Sequence, residues 1–498
     1  MLSCKPNFVP CFFLLVFALP LFFINIHNGH SWGDDFSQYI KEAQNIATGK
    51  PYYQSNYIFN KYNAIYAPPQ YPPGFALLLA PVVRFWGLSF ITICYFNSLL
   101  ASCLLFALFA YFRNRNVGTL TSVCLAVMAT YSHYVLDMKG CALADIPCLL
   151  FITLYLAWRE SATYSWPRIL LLIVFAAMAI QIRSQGVFLM AAEAVLFFFS
   201  LGRILLRKQK TTLKEILLSP PLIIIAGVMM LNLFLNKVVF YTPLSTTSFY
   251  NDFIQTALNG SLTEVVREHF IYLFKVVSAF FYQEASVGFF NAAGFIIGCA
   301  GVVFAVLGFI ASVSKRFTFD DFFFIIMCGL IIYYPVRDQR YFLPALPVLF
   351  YYCYAAFKAI LPAILRIDYR LVAILLTVLY LRSEYSYIKT LDSPFPAGFI
   401  PKEADTIAFG YIKDHVNDSD IIVFTKPRAL TLFTNKRTMN ASWQSPETDK
   451  KIFDSMQVKY ILVLDGMDDR YFTSYLREVQ HPVDSVKIAD GYELYTLR

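Results

Sequence analysis

The chain has 498 residues, of which 58% are hydrophobic and 15% are charged, and its mean hydropathy is +0.54. Soluble proteins of this length are not so apolar, so the composition indicates a membrane protein with several spans. The net charge of +8 comes from basic residues scattered over short loops. A nucleic-acid-binding protein would collect them in one stripe, so the pattern excludes nucleic acid as a partner.

Apolar stretches long enough to cross a bilayer recur through the first part of the chain. We expect about eleven transmembrane helices, near residues 9–28, 89–112, 118–136, 143–158, 167–182, 186–206, 219–240, 290–313, 320–335, 341–361 and 370–388. Lys and Arg concentrate in alternate short loops, which predicts an inside N-terminus and an outside C-terminus. We expect a multi-pass protein of the inner (cytoplasmic) membrane.

Two larger outer segments separate these spans, at residues 29–88 and 241–289. The first contains a Pro-rich run, 66–74, that cannot form a regular helix because each proline removes a donor. The apolar Phe75–Val83 after it predicts a short helix in the membrane interface. The second contains an amphipathic stretch, Leu262–Tyr282, that predicts another interfacial helix.

The last hundred or so residues, 390–498, change to a soluble composition. Their elements are predicted in the order helix Lys402–His415, strand Asp420–Thr425, helix Glu447–Met456, strand Tyr460–Leu464 and a hairpin within Ser485–Leu497. The expected fold class is therefore an α-helical polytopic membrane protein, with a transmembrane domain at 1–389 and a small extracytoplasmic α/β domain at 390–498.

Two adjacent acids, Asp34 and Asp35, follow the first span directly. The predicted topology puts further polar side chains on the same outer face: His30, Lys61, His133, Asp137, Lys139, Asp145, Arg183, Arg337, Asp338 and Arg340. Transfer of a sugar from a lipid phosphate to a hydroxyl requires a carboxylate that takes the hydroxyl proton. It also requires fixed cations that stabilise the departing phosphate. The outer face offers both.

The sequence around these acids resembles the first outer loop of the GT-C glycosyltransferases. The segment Trp32–Tyr39, continued by Ala47–Tyr52, is similar to the branch that contains protein O-mannosyltransferases and lipid A aminoarabinose transferases. Four more segments resemble that branch in its own order: Tyr71-Pro-Pro-Gly74, Ala144-Asp-Ile-Pro147, Arg183-Ser-Gln-Gly186 and Arg340-Tyr-Phe-Leu-Pro-Ala-Leu-Pro347. The resemblance spans residues 31–347 and does not cover the C-terminal domain.

The resemblance implies an inverting transfer from a polyprenyl-phosphate sugar to a glycan, lipid or protein acceptor, with a first-loop aspartate as the base. The family's acid stands four residues before a tyrosine, which favours Asp35 through Tyr39. The family's usual Asp-Glu pair is displaced here, since Phe36 follows Asp35, so Asp34 stays a candidate. The substrate-binding candidates are Asp145, Arg183, Arg337, Arg340, Tyr341, Tyr39 and Lys61.

Each candidate also has a structural interpretation. Asp34 and Asp145 suit helix N-caps, the arginines suit interfacial anchors, and Lys61 and Lys139 suit solvated positions. A metal site made of His30, His133 and Asp34 is less favoured: no metal ligand is assigned, no cofactor is named, and a divalent metal is compatible with the sequence but not indicated by it.

Three other functions compete with sugar transfer. A flippase or exporter of lipid-linked sugars would show mid-membrane charges and inverted repeats. A glycan polymerase or ligase would not need the acidic first loop. A non-catalytic scaffold ranks last.

Overall fold

The computed structural model describes residues 8–60, 62, 68, 70–160, 165–207, 212–240, 262–281, 289–334, 338–365, 368–391, 398–467 and 469–497. The first part of the chain forms a bundle of helices. They are α1 (Phe8–Ala18), α2 (Asp35–Ala47), α3 (Gly74–Trp86), α4 (Phe90–Asn114), α5 (Thr119–Thr130), α6 (His133–Lys139), α7 (Asp145–Arg159), α8 (Trp166–Ile182), α9 (Val187–Leu206), α10 (Leu213–Leu217), α11 (Pro220–Phe234), α12 (Leu262–Ala279), α13 (Phe289–Val313), α14 (Phe319–Tyr333), α15 (Leu346–Leu365) and α16 (Tyr369–Leu391). Every apolar stretch expected to span contains at least one of them.

Several of these helices are long and apolar enough to cross a membrane. In the described ranges they are Phe90–Asn114, Ser184–Leu206, Pro220–Val239, Gln339–Ile360 and Tyr369–Leu391. The pair α5 and α6, bent by 56°, adds a sixth if it forms one span. The chain is thus a multi-pass membrane protein, while the count of eleven spans and the orientation stay predictions. Helices are present where interfacial ones were expected, as α3 over Phe75–Val83 and α12 within Leu262–Tyr282, while their location in the membrane interface stays a prediction. Residues 241–261 and 282–288 lie outside the described residues.

A buried ion pair ties two helices together at the end of the bundle where α4 finishes and α14 starts. Arg115 binds the Asp320 carboxylate with two nitrogens, at 2.5 and 2.7 Å, and the Tyr111 hydroxyl donates to the same carboxylate at 2.8 Å. Both charged side chains are about 95% buried, at 5% and 4% exposure. Bidentate pairing compensates for the loss of hydration that burial imposes on each charge.

The C-terminal part forms a mixed sheet with helices packed on it. Its helices are α17 (Glu403–His415), α18 (Pro427–Thr434), α19 (Pro446–Met456) and α20 (Asp469–Glu478). The strands of the chain are β1 (His30–Ser31), β2 (Tyr57–Ile58), β3 (Phe399–Ile400), β4 (Ile421–Val423), β5 (Arg437–Met439), β6 (Val458–Leu464), β7 (Asp484–Ala489) and β8 (Tyr492–Thr496). The predicted helices, strands and hairpin of this region are confirmed. The sequence analysis missed β3, α18, β5 and α20.

The first outer loop contributes directly to this sheet. The sheet order is β2-β5-β4-β6-β8-β7, with β2 parallel to β5, so residues 57–58 form its edge. The short strands β1 and β3 also pair, antiparallel, and the Asn60 amide donates to the Asn440 carbonyl at 3.0 Å. The sequence analysis placed no strand before residue 390, so it missed this part of the sheet. Strands of two residues carry no periodicity by which a sequence could reveal their distant partners.

We predict that Arg115→Met strongly destabilises the folded bundle. The substitution leaves the Asp320 carboxylate buried without its cation, which costs about 3–5 kcal/mol. Thermal unfolding of the purified protein in detergent measures the effect, with Lys315→Met, an exposed position at the same end of the bundle, as the control. Equal melting temperatures for the two variants would contradict a stabilising role for the pair.

Candidate functional site

The two acids of the first loop stand at the start of α2. Asp34 is the N-cap residue, and Asp35 is the first residue of the helix. Asp34 does not use its carboxylate to cap the helix, although that was one interpretation of its position. The apolar face of α2, which includes Phe36 and Ile40, packs into the core and so fixes where the acids lie.

One arginine of the C-terminal domain binds both acids. Arg428, on α18, has a side chain only 1% exposed, and its Nε lies 2.9 Å from Asp34 Oδ2. Its Nη2 lies 3.1 Å from Asp35 Oδ1. The Ala429 amide donates to the other oxygen of Asp34 at 3.0 Å. Both oxygens of Asp34 are therefore held by the C-terminal domain.

Sequence reasoning missed Arg428 because it lies outside every motif of the resemblance. The one available signal was local. Pro427 at the start of Pro427–Thr434 favours a helix, and that helix is apolar apart from one arginine and two threonines. A lone charge in an apolar helix suggests a buried partner, but the sequence does not name the partner.

Asp35 is the more open of the two acids. Its side chain is 29% exposed, against 8% for Asp34. The Tyr71 hydroxyl donates to Asp35 Oδ1 at 2.6 Å, and Arg340 Nη1 lies 3.6 Å from Asp35 Oδ2. The free edge of this carboxylate therefore faces a cation across a short gap.

The surroundings of Asp35 keep it ionised. Burial raises its pKa, but the charges of Arg428 and Arg340 and the hydrogen bond from Tyr71 together hold the pKa below that of an ordinary carboxyl. Burial raises the pKa of the Tyr71 phenol well above its usual value, so this hydroxyl stays a donor. At neutral pH Asp35 is consequently a carboxylate.

A second acid and an arginine meet beside this pair. Asp145 is the first residue of α7, and Arg183 Nη1 contacts its Oδ1. Arg183 is extended between the end of α8 and a tight turn, Ser184–Gly186, that leads into α9. A side chain at Gly186 would overlap the Ala179 main chain, so glycine lets the turn close and aims Arg183 at α7.

Arg340 and Tyr341 lie in a 3₁₀ segment, Gln339–Ala345, that leads into α15. Asp338 fixes this segment, since it accepts from the Arg340 amide at 3.0 Å and lies 2.6 Å from Arg340 Nε. The Tyr341 ring centre is 5.5 Å from the guanidinium carbon of Arg183 and 5.8 Å from that of Arg340. One aromatic ring thus holds two cations close together, an arrangement suited to an anionic group.

Tyr39 supports the same site from within α2. Its ring stacks on Tyr71 at 4.7 Å and packs against Phe75 at 5.2 Å. The structure therefore brings together seven of the nine residues predicted for the site: Asp34, Asp35, Tyr39, Asp145, Arg183, Arg340 and Tyr341. Lys61 and Arg337 lie outside the described residues.

Three other polar residues predicted on the same face as the site, Lys139, His30 and His133, make contacts within the protein. Lys139, expected to be solvated, is fully buried and donates to the Ile24 carbonyl and to Ser98 Oγ. His30 accepts from the Ala142 amide at 3.0 Å, and His133 lies 3.7 Å from Glu384. Within the ranges that the structure covers, no three His, Cys, Asp or Glu side chains are grouped as a metal site requires.

Comparison with known proteins gives a likeness of fold. No protein-family model and no curated protein sequence matches the chain. Among solved structures, the oligosaccharyltransferase AglB from Archaeoglobus fulgidus, in complex with an inhibitory peptide and a dolichol-phosphate, matches with a TM-score of 0.58 at 12% identity, over 92% of this chain and 70% of that one.

ArnT from Cupriavidus metallidurans bound to undecaprenyl phosphate matches with a TM-score of 0.57 at 12% identity, over 99% of both chains. Its apo state matches with a TM-score of 0.55 at 11% identity, over 100% of this chain and 99% of that one. The chain has the GT-C fold. The resemblance drawn from the sequence, to the branch of the lipid A aminoarabinose transferases, is confirmed at the level of the fold. The likeness of fold also covers the C-terminal domain, which no sequence motif reached.

We predict that Arg428→Met lowers the melting temperature because it leaves two neighbouring acids without their shared cation. Removing one partner of a buried ion pair costs about 3–5 kcal/mol. The double variant Asp34→Asn/Arg428→Met regains part of the loss, since it removes the more buried charge as well. Thermal unfolding in detergent compares the unmodified protein with the single and the double variant. Arg477→Met, on the exposed face of α20, is the control. No recovery in the double variant would contradict the pairing.

Proposed function

We propose that the protein is an inverting glycosyltransferase that moves a sugar from a polyprenyl-phosphate donor to an acceptor hydroxyl at the outer face of the membrane. The observation that carries the proposal is the ionised Asp35, which lies 3.6 Å from Arg340. The Tyr341 ring lies close to the guanidinium groups of both Arg340 and Arg183. A base and a pair of cations stand side by side, as this reaction requires.

In the proposed reaction the acceptor oxygen attacks the anomeric carbon from the face opposite the phosphate. The bond between that carbon and the phosphate oxygen breaks, and the phosphate leaves with the electron pair. Asp35 takes the hydroxyl proton as the new bond forms. Arg340 and Arg183 stabilise the charge that grows on the departing phosphate. Attack from the opposite face inverts the configuration.

Contacts favour Asp35 over Asp34 as the base. Asp34 is bound by Arg428 and by the Ala429 amide, one partner on each oxygen, and is 8% exposed. Asp35 is more exposed and makes its closest contacts through Oδ1. Asp34 then acts as the anchor that holds Arg428, and through it the C-terminal domain, against the site.

Asp145 has two roles in the proposal. It holds Arg183 through Oδ1, and its Oδ2 is buried without a hydrogen-bond partner within the described part of the chain. A substrate hydroxyl would satisfy that oxygen. Tyr39 and Tyr341 shape the walls, and Lys61 and Arg337 are proposed to contact the substrate from the outer loops. AglB with a dolichol-phosphate and ArnT with undecaprenyl phosphate support a lipid-phosphate donor for this chain.

We predict that Asp35→Asn abolishes sugar transfer while donor binding persists. Loss of a general base lowers the rate by about 10²–10⁴-fold. The test supplies purified protein with radiolabelled polyprenyl-phosphate sugars and crude envelope acceptors, and measures label transfer together with donor binding. Asp34→Asn is the matched variant, and it keeps more activity because Arg428 retains its bond to Asp35.

Three results would overturn parts of this assignment. Loss of transfer in Asp34→Asn alone would keep the enzyme and move the base to Asp34. Absence of transfer by the unmodified protein across the donor panel, with movement of labelled lipid across vesicles, would replace the transferase with a lipid-linked sugar transporter. Linkage of whole lipid-linked glycans instead of single sugars would indicate a polymerase or ligase.

A second prediction concerns the donor phosphate. Arg340→Gln removes a charged hydrogen-bond donor, so the affinity for a polyprenyl phosphate falls by about 10–100-fold. Binding of the polyprenyl phosphate alone, without the sugar, measures this loss directly. The control is Arg382→Gln on the exposed face of α16, which leaves affinity unchanged. Unchanged affinity in Arg340→Gln would remove Arg340 from the phosphate site.

A further inference from the structure

A third acid of α2 lies behind the site and has no assigned role. Glu42 is 0% exposed and stands two helical turns after Asp35 on the same face of α2. Its Oε1 accepts from Gln38 Nε2 at 2.9 Å and from the Tyr71 amide at 3.0 Å. Glu42 therefore touches the residue that also touches Asp35.

Tyr71 connects the two acids through different atoms. Its amide donates to Glu42, and its hydroxyl donates to Asp35 at 2.6 Å. The residue lies just before α3, outside any helix or strand, so no regular hydrogen-bonding pattern fixes its main chain. The bond to Glu42 gives the part-buried Tyr71 amide a partner. It also fixes the position of the main chain that carries the Tyr71 ring.

Several groups bear on the charge of Glu42. They are Gln38 and Tyr39 on α2, Tyr52 and Tyr71 in the first loop, and Arg428 on α18. Burial raises the pKa of Glu42 to about 8 in spite of the hydrogen bonds and of Arg428, which lower it. Its Oε2 is buried without a hydrogen-bond partner within the described residues, a costly state for an ionised carboxylate. A pKa of about 8 favours the uncharged form of Glu42 at pH 7.

We propose that Glu42 is a positioning residue of the site: its uncharged side chain holds the Tyr71 main chain so that the phenol stays bonded to Asp35. This role rests on the proposed transferase function. A neutral group is what the position requires. A second negative charge here would repel Asp35 and compete with it for the guanidinium of Arg428.

The activity test is a double-mutant cycle between Glu42 and Tyr71. Glu42→Ala and Tyr71→Phe each lower kcat on the order of tenfold and move the acid limb of the rate profile to higher pH, because Asp35 loses a hydrogen bond that lowers its pKa. The double variant is no worse than either single one. Glu42→Gln, which resembles the neutral acid, restores most of kcat and the original limb. The matched control is Glu403→Ala on the exposed side of α17.

Additive effects, or a Glu42→Gln variant as impaired as Glu42→Ala, would overturn the positioning role. The first result would show that Glu42 does not act through Tyr71. The second would show that position 42 needs a negative charge. A fall in stability without any movement of the pH limb would reduce Glu42 to a packing residue.

Stability against pH tests the charge state without any activity. The pKa of Glu42 is raised on folding from about 4.5 to about 8, so its contribution to stability is full below the lower value and is lost as the pH rises through the upper one. The melting temperature of the unmodified protein should thus fall more between pH 6 and pH 9 than that of Glu42→Gln, because only the unmodified protein has a carboxyl at position 42 that ionises in this range.

Infrared difference spectra give a second readout. They should show a protonated carboxyl stretch at pH 7 that Glu42→Gln lacks. If the unmodified protein transfers no sugar yet both signals appear, the transferase proposal fails while the neutral Glu42 stands. If sugar is transferred and both signals are missing, the proposal for Glu42 alone fails.

Discussion

The candidate site of this protein depends on the ion pairs between Arg428 and the two acids at the start of α2. Adjacent carboxylates repel each other, and burial in low dielectric strengthens that repulsion. One guanidinium shared between them, 2.9 Å from Asp34 and 3.1 Å from Asp35, offsets it. Because the cation comes from α18, the same contact attaches the C-terminal domain to the first outer loop. Strand β2 belongs to the same loop and pairs with β5, so main-chain hydrogen bonds also connect the loop to the C-terminal sheet.

The charged residues of the site share one structural position, the ends of helices. Asp35 begins α2, Asp145 begins α7, Arg183 fills the break between α8 and α9, and Arg340 lies in the segment before α15. A membrane span must satisfy its own main-chain bonds inside the lipid, so polar side chains are tolerated best where the helix stops. Residues three hundred positions apart in sequence can meet in this way at one rim of the bundle.

The parts of this structure that the sequence predicted follow from local rules. The apolar stretches became helices because length and hydrophobicity suffice to indicate a span. Asp35, Asp145, Arg183 and Arg340 were identified because a family pattern and the predicted topology point to the same residues. The soluble elements α17, α19 and β6 were visible in their periodicity.

What the sequence did not predict depends on partners far away in the chain. The ion-pair partners of Arg428 are acids almost four hundred residues earlier in the chain. Tyr71 lies in a Pro-rich run whose main chain follows no periodic rule. Lys139 was expected in water, yet it donates to Ile24 and Ser98 inside the bundle. In each case a tertiary contact outweighs the average behaviour of the residue type.

The arginines around Asp35 have two opposite effects on its proposed role as a base. Guanidinium groups keep the carboxylate ionised, but the same groups weaken it as a base because they favour its charged form. The two arginines do not contribute equally to this effect. Arg428 lies at hydrogen-bonding distance from Oδ1 of Asp35, whereas Arg340 is 3.6 Å from Oδ2. In the proposed reaction a donor phosphate draws Arg340 toward itself, and the attraction that Arg340 exerts on Asp35 falls. The base would then strengthen at the stage when the leaving group is bound and the acceptor proton must be taken.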